Sequence, residues 1–381
     1  MGFILSFIFT IVEGLAIISS MVKDSPYYIA LAAAPGIGPV RFQVLLKHFK
    51  SAETIWKADE KTLKEILTPK LFEQFTEFRK SFDIQRYLDK ISKLNIIVIT
   101  LNDKNYPKLL KEISDAPPVL YIRGQLPDEK RVIAVVGTRK ITNYGREVTE
   151  ILVRDLVNIG FTIVSGLARG VDSHSHRVTI GNSGKTIAVL GGGLDRVYPA
   201  ENRALADEIA KGNGAVISEF PVGMDSVPGN FPARNRIISG LSLGVLVTEA
   251  GEDSGSLITA GLAGEQGREV FAVAGPMYSK LAKGPAALIK QGAKLVMNIE
   301  DILEELQISG QEPETRDQEG IKGDSEDEQK ILYLMGDEPA HIDQIARHTK
   351  LSASKAGSIL SLMEIKGKIR SLGGGNYSLN R

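Results

Sequence analysis

The sequence predicts an α/β fold: a Rossmann-like, doubly wound, mostly parallel sheet, flanked by an N-terminal helical unit and a C-terminal winged helix. Three observations predict it. From Arg131 to Leu306, seven short runs (VIAVVG, FTIVSG, KTIAVLGGG, AVISEF, LGVLVTEA, EVFAVAG and AKLVMN) alternate with helical stretches. Runs that are apolar throughout, each leading into a helix by way of a turn, suit strands buried on both faces. Before them, residues 21–94 read as short amphipathic helices. After residue 328, three helices precede a glycine-centred strand pair at Gly373-Gly374-Gly375, the element order of a winged helix.

Residues 1–20, MGFILSFIFTIVEGLAIISS, are apolar enough for a membrane segment, but they carry Glu13 and no basic n-region. An uncleaved anchor, a signal-like start and translated upstream sequence before Met21 are the readings open here. The hydrophilic VKDSPYY after Met21 favours the last. Residues 27–49 read as helix, Pro35-Gly36-Ile37-Gly38 turn, helix. That is a helix-hairpin-helix or SAM-like pattern, whose turn can present backbone N–H groups to a phosphate. Residues 95–124 enter the sheet domain, 95–306, with a strand, a helix and a Pro-Pro break. Residues 307–328 are polar and charged, a linker. In the winged helix, 329–381, Lys355, Lys366, Lys368 and Arg370 stand against Glu364, which suits a nucleic-acid surface.

A chain of 381 residues is long enough for two or three domains, and its 46 basic and 46 acidic residues balance. Local clusters must therefore carry any argument for a polyanion. With no cysteine, disulfides, thiolate nucleophiles and the common structural zinc sites are excluded. His174 and His176, two apart on a helix, diverge and make a poor metal pair. No catalytic set, metal site or cofactor is expected.

The turns after the strands hold the candidate site, because ligands of such sheets lie beyond the carboxyl ends of the strands. Gly137, Thr138 and Arg139 follow the first run without the G-x-G-x-x-G of a dinucleotide fold. Gly184-Lys185-Thr186 precedes a strand and fails the Walker spacing. The second turn offers Gly166, Arg169 and Gly170, with Asp172 placed to cap the next helix. The third offers Gly191, Gly192 and Gly193, then Tyr198 and Asn202. Arg234, Asn235 and Arg236 lie just inside a helix, where forks and an amide can hold phosphate oxygens. Ser254-Gly255-Ser256 leaves backbone N–H groups uncovered at another helix start. Several separated phosphate sites on glycine floors suit a single-stranded polynucleotide, read with little sequence preference, with Phe231 or Tyr198 as stacking platforms.

The motifs SGLARGVDSHSH, GGGLDRVYP with Asn202, SEFP, FPARNRIISGLS, EAGEDSGSLITA, GREVFAVAG and KGPAALIKQGAKLV, in this order, resemble the DNA-processing protein A (DprA/Smf) family. The resemblance covers nearly the whole chain beyond Met21. It implies a cytoplasmic, non-enzymatic protein that binds and protects single-stranded DNA and loads the recombinase RecA during natural transformation. It further implies a homodimer through the Rossmann-like domain, and a single-strand-binding protein as a further partner. Carried over by motif, phosphate contacts fall on Gly137-Thr138-Arg139, Arg169 and Arg234-Asn235. The sequence departs from the family at Ala200, often basic there, at Val273-Ala274-Gly275, usually Val-Pro-Gly, and at Ser173-His174-Ser175-His176, usually an Ala-His pair. The alternatives are a nucleoside monophosphate phosphoribohydrolase, whose Pro-Gly-Gly turn EAGEDSGSLITA lacks, and a winged-helix regulator of duplex DNA.

Overall fold

The computed structural model describes residues 25–127, 130–212, 214–308, 323–335, 340–349 and 351–379. The expectations for residues 1–20 and for most of the linker lie outside these residues. Among them no helix is long and apolar enough to cross a membrane.

The N-terminal part is helical: α1 (Ser25–Ala32), α2 (Pro39–Phe49), α3 (Ala52–Lys57), α4 (Glu60–Ile66), α5 (Pro69–Ser81) and α6 (Ile84–Lys93). Their starts are chemically marked. Ser51, Asp59 and Asp83 accept backbone N–H groups in the first turns of α3, α4 and α6, while Pro39 and Pro69 open α2 and α5. The predicted hairpin lies between α1 and α2. Gly36 has φ +78, a backbone conformation that favours glycine, and the Arg41 guanidinium donates to its carbonyl at 2.7 Å. Trp56 holds the bundle together, with ring centroids 5.9–6.2 Å from Phe75, Phe78 and Phe82.

The strands are β1 (Ile97–Thr100), β2 (Val119–Gly124), β3 (Val132–Val136), β4 (Thr162–Ser165), β5 (Thr186–Val189), β6 (Gly214–Ser218), β7 (Gly244–Val247), β8 (Glu269–Val273) and β9 (Lys294–Val296). They form one sheet in the order β1-β2-β6-β5-β4-β3-β7-β8-β9. From β6 to β9 the pairing is parallel, and β2 joins β6, and β1 joins β2, antiparallel. Each predicted run is a strand, and the entry segment extends the same sheet around α7 (Lys108–Glu112).

The intervening helices are α8 (Asn143–Asn158), α9 (Val171–Gly181), α10 (Arg203–Lys211), α11 (Asn230–Gly240), α12 (Gly255–Glu265), α13 (Lys283–Lys290) and α14 (Ile299–Glu305). Alternation along β3 divides the core. Val132, Ala134 and Val136 pack with Ile237 and Ile238 of α11 and Ala260 of α12, and Ile133 and Val135 pack with Leu152 and Leu156 of α8. The N-terminal helices share a core with the sheet instead of forming one of their own. Ile29, Phe42 and Phe75 belong to the same cluster as Tyr121 of β2, Ala188 of β5 and Val216 of β6. Residues up to 310 accordingly make one compact unit and residues 311–381 another.

The second unit is a winged helix: α15 (Glu326–Met335), β10 (Ala340–His341), α16 (Ile342–Thr349), α17 (Ala353–Ile365), β11 (Ile369–Gly373) and β12 (Asn376–Leu379). Its three-stranded sheet has the order β10-β12-β11, and its own core contains Ile331, Met335, Ile345, Leu360 and Met363. The expected basic surface requires correction, because its cations are already partnered. Lys355 pairs with Asp327 at 2.7 Å, and Lys366 and Lys368 each pair with both Asp324 and Glu328 at 2.7–3.0 Å. Arg370 Nε donates to Ser378 Oγ. The acids come from residues 324–328, which the sequence reading placed in the linker.

This clasp has a pH signature. The Asp324 backbone N–H and the ammonium groups of Lys366 and Lys368 hold the Glu328 carboxyl down at about 2, and the same two lysines hold Asp324 at about 2. A carboxyl whose pKa is depressed by folding stabilises the fold above its unfolded value, near 4, and loses that contribution as pH falls through the folded value. The unit 311–381, melted from pH 7 down to pH 2, should therefore hold its Tm to about pH 5 and lose it below. Glu328→Gln should lower the neutral-pH Tm and flatten the acid limb. An unchanged acid limb in that variant would remove Glu328 from the clasp.

Candidate functional site

The strand order turns back on itself between β3 and β7: β4, β5 and β6 lie to one side of β3, and β7, β8 and β9 to the other. A sheet opens a crevice where successive crossovers leave in opposite directions. Here a cleft of about 480 Å³ opens there, walled by the loop after β3, the first turns of α11 and the start of α12.

The two loops at the switch point are tied together. Thr138 N donates to Glu249 O at 2.6 Å, and the Glu249 carboxylate accepts both Thr142 N and Thr142 Oγ1 at 2.7–2.9 Å. Glu249 is buried and braces the whole turn from residue 138 to 142. Gly137 has no room for a side chain, because its Cβ would lie 2.7 Å from Glu249 O and 2.6 Å from Val171. The result is that Arg139 and Lys140 are exposed on the cleft wall.

On α11, Phe231 stands between the cleft and a second, smaller opening. Its ring lies 5.8 Å from Tyr198, and the guanidinium carbons of Arg139 and Arg234 lie 5.6 and 5.9 Å from its centroid. Arg234 is only 4% exposed. Its Nη1 donates to Val189 O at 3.1 Å, while its buried Nε has no partner. It fits because residue 166 is glycine, since a Cβ there would coincide with Nη1. Burial lowers the Arg234 pKa, and the Asp172 carboxylate opposes that shift. The Asp172 carboxyl is raised by burial and held back by Arg234 and by the amides of Gly166 and Ala168. His176, wholly buried with Nδ1 2.6 Å from Thr186 Oγ1, is pushed down to about 3 by burial and by Arg234, so it stays neutral.

At the opposite wall, Ser254 caps α12 by accepting Ser256 N, and Gly255 faces open space. Asn235 donates to Gly255 O at 3.3 Å and so links the two helix starts. Asp253 lies on the same rim and adds a negative charge to it.

Of the residues singled out in the sequence, the cleft brings together Gly137, Thr138, Arg139, Phe231, Arg234, Asn235, Ser254 and Gly255. The smaller opening adds Gly166 and Arg169, whose guanidinium is paired with Glu201. Gly170 (φ +77) lies against Thr138 O and lets α9 start beneath that turn. Three expected contacts lie elsewhere. Arg236 is buried and turned away, bonded to both oxygens of Glu219 at 2.6–2.9 Å and to Asp115 at 2.9 Å. Asn202 is buried and donates to Leu167 O and Ala168 O. Gly192 makes room for Ser226. Asp172 does not cap α9 as expected. Its Oδ2 accepts Gly166 N and Ala168 N of the preceding loop. Lys140 and Glu249 were missed. Lys140 directly follows Arg139 in the same turn, a signal available in the sequence, whereas nothing local marks Glu249 as a brace.

Comparison with known proteins places this arrangement. The family model described as DNA recombination-mediator protein A matches residues 97–307, and that of the DprA winged helix domain matches residues 313–375. Protein Smf of Synechocystis is 35% identical over 93% of this chain and 98% of its own, and Protein Smf of Escherichia coli is 38% identical over 83% and 86%. Among solved structures, DNA processing protein A of Streptococcus pneumoniae superposes with a TM-score of 0.64 at 35% identity, covering 74% of this chain and 99% of that one. That of Helicobacter pylori, solved for its single-stranded DNA binding mode, gives 0.50 at 32% identity, covering 55% and 95%.

Arg236 and Arg139 should separate cleanly under mutation. Arg236→Ala leaves Glu219 buried without its partner and should cost about 3–5 kcal/mol of stability. Arg139→Ala, at an exposed position, should change stability by less than about 0.5 kcal/mol. Chemical denaturation of both variants is the measurement, and equal losses would place Arg236 outside a buried pair.

Proposed function

The chain belongs to the DNA recombination-mediator protein A family, with a DNA-processing role in recombination, and on that premise we propose that it binds single-stranded DNA along the switch-point cleft and delivers it to the recombinase RecA. The observation that carries this reading is the placement of Phe231. An aromatic ring bracketed by Tyr198 and two guanidinium groups, between two openings, offers a base a stacking face and its phosphates cationic neighbours. Exposed Arg139 and Lys140 supply side-chain donors to phosphate, none of which distinguishes one base from another. Single strands fit better than duplex, because a stacking ring needs an unpaired base.

The protein acts without catalysis. The buried carboxylate bordering the cleft, Asp172, is spent on backbone amides, and buried His176 on a hydroxyl. It acts in the cytoplasm, where the incoming strand, the recombinase and the single-strand-binding protein meet, and as a homodimer through the sheet domain. The outer strand β9 supports the dimer, for it ends the sheet with Leu295 on the strand and Met297 just after it exposed. Duplex reading by the winged helix finds less support, since its lysines are paired internally.

Gel shifts of the purified protein should give tighter binding to oligo-dT than to blunt duplex, weakening as salt rises through counterion release. Arg139→Ala should weaken oligo-dT binding by about 1–3 kcal/mol irrespective of sequence, and should flatten the salt dependence. Equal affinity for duplex and single strand would sink the reading, and wild-type affinity in the variant would remove Arg139 from the path.

A further inference from the structure

Two buried charges flank Gly166 beneath the cleft with no direct hydrogen bond or ion pair between them, and binding of an anion alone does not explain both. The guanidinium of Arg234 passes through the gap left by the missing side chain of Gly166. Asp172, 7% exposed, reaches the same residue from the other side and accepts its amide at 3.2 Å and that of Ala168 at 3.3 Å. Both side chains border the cleft. A carboxylate in an anion site is a liability for affinity unless it performs another task.

We infer that Asp172 is a positioning residue and internal counter-ion for Arg234, neutralising it in the free protein and yielding it in part to a DNA phosphate on binding. This rests on the single-stranded DNA reading above. Three observations carry it. Arg234 has one backbone acceptor and a buried Nε with no acceptor, so it is short of partners without a ligand. Among its other charged surroundings, Arg139 lies on the open side, His176 is neutral, Arg177 is exposed and Asp253 stands out on the cleft rim. Asp172 is the carboxylate that opposes the effect of burial on Arg234. A buried cation without a counter-ion would destabilise the empty protein strongly. Asp172 thus holds the guanidinium in place between encounters with DNA, and it limits how tightly the strand is gripped.

The geometry makes the test sharp. Both amide bonds land on one oxygen, Oδ2, so an asparagine carbonyl can keep them while the charge is removed. Asp172→Asn should therefore lower the Tm of the free protein yet bind oligo-dT at least threefold tighter, with the slope of log affinity against log salt steeper by about 0.7, the value for one more phosphate neutralised on a single strand. Oligo-dT should restore much of the lost Tm. A brace with no electrostatic role predicts the opposite: weaker binding at unchanged slope, and that result overturns the inference. Should Asp172→Asn fail to fold, Arg234→Met is compared with Arg234→Met/Asp172→Asn. With the cation gone, removing the carboxylate should be neutral or stabilising and leave residual DNA affinity unchanged, whereas a further loss of stability overturns the inference. If the unmutated protein bound no single-stranded DNA, the proposed function would fall, while the stability comparison would still test the pairing.

Discussion

Taking a guanidinium out of water costs several kcal/mol before any compensation, and the loops around Arg234 are shaped by that cost. Residue 166 is glycine because the side chain passes where a Cβ would stand. The strand end at Val189 supplies an acceptor, and Asp172 turns back toward the loop instead of capping its own helix. The neighbouring crossing of Gly137 under Glu249 fixes the distance between the two halves of the sheet at the same point. The shape of the cleft is therefore a consequence of how the chain packs at its switch point.

The helix that carries the site is held from behind. Arg236 fastens α11 to Glu219 at the end of β6 and to Asp115 in the loop before β2, and Gln266 of the α12 C-cap donates to its carbonyl. Phe231, Arg234 and Asn235 project from a helix whose other side is bolted down. Precision at the cleft comes from groups that never touch it.

Much of this was legible in the sequence. Strands buried on both faces announce themselves as unbroken apolar runs, and all seven runs from VIAVVG to AKLVMN are strands. The antiparallel additions β1 and β2 were legible only as an entry segment, because pairing partners are not local. The misplacement of Arg236 was avoidable. Residues two apart on an α-helix point about 200° apart, so Arg234 and Arg236 never had the same address. Counting charges within the winged helix alone gave its lysines a free surface, yet Asp324, Asp327 and Glu328 stood in the sequence one element earlier. Charge is a property of a neighbourhood, and neighbourhoods are made by folding.

Tyr121 stands on β2 with helices of the N-terminal part packed on it, and its hydroxyl meets that of Tyr87, which in turn accepts Val222 N. Stripping those helices away would uncover the part of this cluster around Tyr121. A boundary near residue 94, evident to the eye as helices give way to strands, is thus no seam in the energetic sense. Heat should dismantle both sides of it in a single enthalpic event, and a recombination that exchanged one side for a foreign module would inherit half a core.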